Sequence, residues 1–292
     1  MAAKAPCDPA PFLDALRADP GFADAGVEIH VAHDGDWPAA VAPTPAVKVH
    51  AHACPPGSSA FRLWGVAVAR AAAAADYVAI LDAQAPPGAG WLARARAEIA
   101  RGTPLFFGSV EPGWGMRDRR IVGYLAEYAQ FRAPIPRVLA EVPGNNLVGR
   151  VDLFAGTGNA AADSFVKTLM LRRLARDGGP SPQPLDDMPV VYRKGFAPAP
   201  YLAARAAQGR AFAVRRHDDP GQPGRLLCAA FTPALPLLRL WRIRRAVRRD
   251  RMLHRAALRH LPFLLLSEVA WSLGELSGYL TRGSRDGRCG TR

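Results

Sequence analysis

Residues 77–81, Tyr-Val-Ala-Ile-Leu, carry an apolar or aromatic side chain at every position, and the run closes on Asp82 and a loop holding Pro86, Pro87, Gly88 and Gly90. A strand without a polar face has no side to turn to water, so it belongs in a parallel sheet covered by helices. That requirement narrows the fold to a layered α/β arrangement. The flanking sequence agrees. Residues 27–36, VEIHVAHDGD, and 46–54, AVKVHAHAC, are β-rich runs closed by turn residues, and 58–75, SSAFRLWGVAVARAAAAA, offers a serine N-cap and a long helix-forming tail.

The pattern continues in both directions. Residues 12–18 predict a short helix starting near Asp8 or Pro9, the stretch from Trp91 predicts a helix stopped by Gly102, and 104–111, PLFFGSVE, predicts a strand. Over 117–132, Tyr124, Tyr128 and Phe131 recur at helical spacing on one face, as core residues do. Residues 144–154 read as extended, and 159–179 as a helix with a glycine stop. With 292 residues, 49% of them apolar, the chain can bury one large core or two modest ones.

Cys7, Cys54, Cys228 and Cys289 form no C-x-x-C pair, which argues against a zinc ribbon or a disulfide framework and for a reducing compartment. The first residues hold Pro6, Pro9 and Pro11 and no apolar run, so no signal peptide is expected and the cytoplasmic side is the expected location. Charge is concentrated far away. Between Arg239 and Arg259 there are nine arginines and one acid, Asp250, a surplus of eight out of a net charge of +13. Such a cluster calls for a polyanionic surface as partner.

Directly after it, residues 262–280 draw a polar stripe of Glu268, Ser272, Glu275 and Tyr279 on an otherwise apolar helix. Two glutamates at roughly 2.5–3.5 kcal/mol each weigh against a lone membrane span. An interfacial helix, or one packed on the protein's own body, fits better. Aromatic residues are not interleaved with the arginines and no base-reading motif is present, so anionic lipid fits the cluster better than nucleic acid does. Residues 1–230 are expected to form the α/β domain and 231–292 the membrane-associating helices.

Residues 27–110 resemble the nucleotide-binding half of bacterial family-2 glycosyltransferases of the GT-A fold. The matching segments are HVAHDGD, Arg62-Leu63-Trp64-Gly65, Ile80-Leu81-Asp82-Ala83-Gln84 and Gly90-Trp91-Leu92, and further on Gly144-Asn145-Asn146-Leu147 with Arg150. Gly209-Arg210-Ala211-Phe212, Gly274-Glu275 and Gly278-Tyr279-Leu280 resemble the membrane-associated end of polysaccharide-assembly members. The resemblance implies a mixed, mostly parallel sheet flanked by helices. It implies transfer of a sugar from a nucleoside diphosphate sugar to a glycan or lipid-linked acceptor, by a protein peripherally bound to the cytoplasmic face of the inner membrane. Asp34 and Arg62 would then hold the nucleoside, and Asp82 and Gln84 the diphosphate. Asp82 would ligate Mg²⁺ or Mn²⁺, which neutralises the leaving group. Asn145, Asn146 and Asp163 would face the acceptor, with Asp163 as base, and Trp114 would stack on a sugar or pack onto its own loop.

Three positions depart from that family. Gln84 replaces the second acid of the metal corner, and Val166-Lys167 stand where an acidic pair is expected. The prolines of residues 1–11 are expected to deny the sheet its central first strand, so that a start upstream of Met1 is the favoured explanation. These departures keep open a second reading, a glycosyltransferase-like scaffold without catalysis. Asp82 also reads as an ordinary turn cap, and Asp34 as part of an Asp-Gly-Asp turn. Gly156–Ala161 matches a short dinucleotide pattern without its acidic partner. His30, His33, His50 and His52 read as strand histidines rather than a zinc site.

Overall fold

The computed structural model describes residues 2–4, 9–19, 22, 26–34, 47–51, 68, 75–137, 141–155, 167–195, 197–217 and 224–281. The helix expected over 58–75, Val68 and Ala75 apart, and the Gly156–Ala161 pattern lie outside the described residues. The chain divides into two compact units after Gly195, not after 230. The arginine cluster marks a change of composition, whereas the change of packing comes with the first long helix after Gly195.

The first unit contains two sheets. Strands β1 (Ala2–Lys4), β2 (Ile29–Asp34) and β3 (Val47–Ala51) are parallel in the order β1-β2-β3. Residues 2–4 therefore do form a strand, contrary to expectation, because they precede the first proline and keep their amide donors. Their pairing reaches only Ala32–Asp34 of β2. The second sheet runs β4 (Tyr77–Leu81), β6 (Asn146–Arg150), β5 (Leu105–Pro112), β7 (Gln183–Tyr192). Here β6 is antiparallel to both its neighbours and β5–β7 is parallel. Among the described residues β4 thus pairs with β6 alone, and antiparallel, where a parallel inner strand was expected.

Around the sheets lie α1 (Ala10–Arg17), α2 (Trp91–Ala100), α3 (Ile121–Glu127), α4 (Val151–Ala155) and α5 (Lys167–Arg176). Helix α2 buries Trp91, Leu92, Ala95 and Glu98, the three-to-four spacing of one face. Its N-cap, Gly90, has no side chain, and the buried Asp19 accepts the Leu92 N–H at 3.0 Å in its place. Tyr124, Tyr128 and Phe131 are core, as their spacing predicted. An apolar cavity of about 280 Å³ lies between β2 and β4, lined among others by Phe12, Leu16, Ile29 and Ile80; neither Asp82 nor Gln84 lines it.

The second unit is helical: α6 (Pro198–His217), α7 (Arg225–Phe231), α8 (Leu235–Val247), α9 (Arg251–Arg259) and α10 (Leu261–Leu280). Helices α6 and α10 cross at glycines. A Cβ on Gly274 would sit 1.9 Å from the Ala206 carbonyl oxygen, and one on Gly209 2.2 Å from that of Trp271. The polar stripe of α10 faces inward. Ser267, Glu268, Ser272, Glu275 and Tyr279 are buried, while Leu261, Leu265, Leu266, Leu273 and Leu280 are exposed.

Candidate functional site

The site is organised by the chain leaving β4. Leu81 is still paired with β6, yet the carbonyl of Gln84 already accepts the N–H of Arg193, just past β7, at 2.8 Å. Residues 82–84 therefore cross the end of the sheet. Val191 N–H to Pro86 O and Gly88 N–H to Pro189 O, each 2.9 Å, fasten the rest of the loop along β7. The prolines set its extended backbone, and the ladder against β7 holds it in place.

Asp82 stands at the head of this crossing. Its Oδ1 accepts the Gln84 N–H at 2.9 Å, which is the turn-capping role. Oδ2 has no hydrogen bond among the described residues. Burial raises the carboxyl above its ordinary range, and Glu127 adds to the rise; Lys194 and the Gln84 N–H oppose it. The Gln84 carboxamide is half-buried and makes no hydrogen bond among the described residues.

The two asparagines part company. Asn146 is the last partner of Leu81, and Asn145 stands before β6, in the turn that leads into it. Strand alternation sets Asp82, two positions past Ile80, on the face of Ile80. Asn146 accepts the Trp91 indole N–H at 2.8 Å and donates to the carbonyls of Ser109 and Met188 at 2.9 and 2.8 Å. Both its donors are spent on the sheet rather than turned to an acceptor. Gly108 makes room for it, since a Cβ there would lie 2.4 Å from Asn146 Nδ2 and 1.8 Å from Met188 O. Asn145 is fully buried, and neither polar atom of its carboxamide has a partner.

A residue that sequence reasoning set aside joins this face. Ile80, Leu147 and Phe107 lie in one cross-strand row, two positions from Asp82, and Phe107 meets Phe131 edge-on at 6.1 Å. The ammonium of Lys167 sits 5.4 Å from the Phe131 ring and 5.7 Å from that of Tyr128. Among the described residues no carboxylate comes within the 4.0 Å of an ion pair. Burial lowers its pKa, against the fields of Glu141 and Glu127. Glu127 thus acts on both Asp82 and Lys167. The signal for Lys167 was its position in the chain; its charge made it look like a lost base.

Trp114 is occupied by the protein itself. Its indole N–H donates to Lys194 O at 3.1 Å, and the Arg120 guanidinium lies 3.5 Å above the ring. Asp34 closes β2, but its side chain, Arg62 and Asp163 lie outside the described residues. His30 bonds Glu28 at 3.1 Å. No group of three or more His, Cys, Asp or Glu able to hold a metal occurs among the described residues. Among the described residues a divalent ion at the corner would find one carboxylate oxygen not already hydrogen-bonded, on Asp82, and the neutral carboxamide of Gln84. That donor set does not fit Mg²⁺ or Mn²⁺, which want anionic oxygens.

No protein-family model matches the chain. No curated protein matches it either. Among solved structures, it is similar to a mannosyltransferase from Pyrobaculum calidifontis solved with GDP-Man and Mn²⁺. The identity is 16%, the TM-score 0.52, and the match covers 94% of this chain and 86% of that one. The likeness is one of fold: a mixed α/β glycosyltransferase fold, with the four-stranded mixed sheet flanked by helices.

Proposed function

We propose that the chain is a family-2 type glycosyltransferase of the GT-A fold, moving a sugar from a nucleoside diphosphate sugar to a lipid-linked or polysaccharide acceptor at the cytoplasmic membrane face. The observation that carries this reading is the unengaged Oδ2 of Asp82 at the end of the sheet, in a fold like that of a protein solved with GDP-Man. Asp82 and Gln84 would meet the donor beside its diphosphate, Oδ2 accepting a hydrogen bond from a sugar hydroxyl. The acceptor oxygen attacks the anomeric carbon, the bond to the diphosphate oxygen breaks, and a carboxylate takes the acceptor's proton. Glu127, whose field reaches both Asp82 and Lys167, joins Asp163 as a candidate for that base.

Membrane placement is supported by the second unit, where α10 turns its polar stripe inward and large apolar side chains are exposed. Glu268 is fully buried, while Leu226, Phe231, Leu237 and Trp241 are 80%, 63%, 70% and 54% exposed. Of the nine clustered arginines, Arg239 turns inward to Glu268 and the other eight are exposed. Apolar surface and cationic heads together suit an anionic bilayer face. The stretch Arg225–Val247 is also long and apolar enough to cross a membrane by length and composition. A scaffold without catalysis is favoured by one observation, the use of Asp82 Oδ1 as a turn cap.

The test is to reconstitute the full chain on anionic vesicles with a panel of nucleoside diphosphate sugars and lipid-linked acceptors and to follow nucleotide release. Turnover with at least one donor, reduced about 100-fold or more by Asp82→Asn, supports the enzyme. Binding without turnover supports the scaffold, and failure to bind any donor removes both.

A further inference from the structure

Resting on the nucleotide-sugar reading, we propose that Lys167 supplies positive charge that holds the diphosphate, so that donor binding in this chain needs no metal ion. A diphosphate carries more negative charge than any other part of the donor, and a site must answer it with cations or with N–H donors. Among the described residues the corner offers few oxygens to a metal: Gln84 is neutral, and Asp82 has one oxygen without a hydrogen bond. An ammonium group stands over the same sheet: Lys167 lies against Tyr128 and Phe131, and Phe131 meets Phe107 of β5.

Lys167 is costly where it stands. Buried charges are ordinarily paired, and this one is half-buried on two aromatic rings with no carboxylate inside ion-pair distance among the described residues. Glu127 and Glu141 act on it from further off, and Glu141 already accepts a hydrogen bond from Gln130 Nε2 at 3.2 Å. Their fields favour the charged amine against the burial that lowers its pKa, and neither carboxylate closes a salt bridge over it, which leaves its N–H donors for an anion. An ammonium group with no carboxylate inside ion-pair distance among the described residues matches the oxygens of a nucleoside diphosphate better than it matches a divalent ion.

The experiment is calorimetric titration of the full chain with GDP and with UDP, in EDTA and in Mn²⁺. Wild type is expected to bind one of them in EDTA within about threefold of its affinity in Mn²⁺. Lys167→Met should weaken binding in EDTA by about tenfold or more, and Lys167→Arg should retain most of it. Thermal melting of each variant confirms that the fold is intact, and Lys167→Met is expected to melt no lower than wild type. Binding that requires Mn²⁺ and ignores Lys167→Met overturns the inference while leaving the donor reading standing. If neither nucleotide binds in either condition, both fall.

Discussion

The helical unit and the corner at Asp82 in the α/β unit handle buried charge in opposite ways. In the helical unit Glu268 takes Arg205 at 3.0 Å through one oxygen and Arg239 through the other. The two guanidinium carbons lie 4.6 and 4.5 Å from the ring of Trp271. Nearby, Glu275 accepts hydrogen bonds from Trp271 at 3.0 Å and Tyr279 at 2.9 Å. At the corner of the α/β unit burial acts on both Asp82 and Lys167, yet among the described residues Oδ2 of one and the ammonium of the other have no hydrogen-bond or ion-pair partner. Charges that serve only the fold are closed upon one another. Those left open at a cost to the fold mark where a ligand is to be met.

The largest effect expected from breaking this contrast is at Glu268. Glu268→Ala leaves Arg205 and Arg239 without their shared acid, at a cost of about 3–5 kcal/mol in denaturant unfolding of the helical unit. Replacing Glu268 and both arginines together by apolar residues should recover most of that loss. Next come the neighbouring asparagines. Asn146→Ala removes hydrogen bonds to Trp91, Ser109 and Met188 and should cost about 2 kcal/mol, whereas Asn145→Ala removes an amide with no partner and should cost less than half as much. Equal losses at the two positions would erase the distinction drawn between them.

Asp82→Asn is expected to stabilise the protein by about 1 kcal/mol at neutral pH while abolishing transfer. The sign follows from the raised carboxyl: its contribution to stability is present below the ordinary value of 3.8 and is lost as pH rises through the higher folded value. The variant's advantage should therefore fade on acidification towards 3.8, as measured by denaturant unfolding across that range. The smallest effect on folding belongs to Arg244, Arg245, Arg248 and Arg249, all exposed; changing them to Glu should alter stability by less than about 0.5 kcal/mol. Flotation with anionic vesicles should nonetheless fall sharply, each charge being worth about 1 kcal/mol near such a surface.

Much of the first unit was legible because its signals are local. The strand Tyr77–Leu81, the helix opened by Trp91 and the strand Leu105–Pro112 all follow from apolar periodicity and glycine stops. Strand β7 was not legible: Pro184, Pro189 and the acids Asp186 and Asp187 break the pattern, and its pairing with β5 survives only through a register shift, β7 running from Leu185 to Val190 while β5 runs from Gly108 to Val110, and through the loop lying alongside. Helix α6 carries no compositional mark, only glycines that matter once α10 lies against them. On α10 the polar stripe was plain, but its inward direction depends on Arg205 and Arg239, which come from other helices. Asn145 and Asn146 were grouped together by type, although Asn146 opens β6 and bonds the sheet while Asn145 stands in the turn before it.

The most direct test of ligand-directed charge is a comparison of thermal unfolding for wild type and Asp82→Asn, alone and with the nucleoside diphosphate sugar to which wild type responds most. The account predicts a crossing: the variant melts higher alone, and wild type overtakes it with donor, since saturating ligand at 100 times Kd adds about 2.7 kcal/mol to the protein that binds it. A variant that melts lower than wild type without donor, or that gains as much from it, contradicts the account.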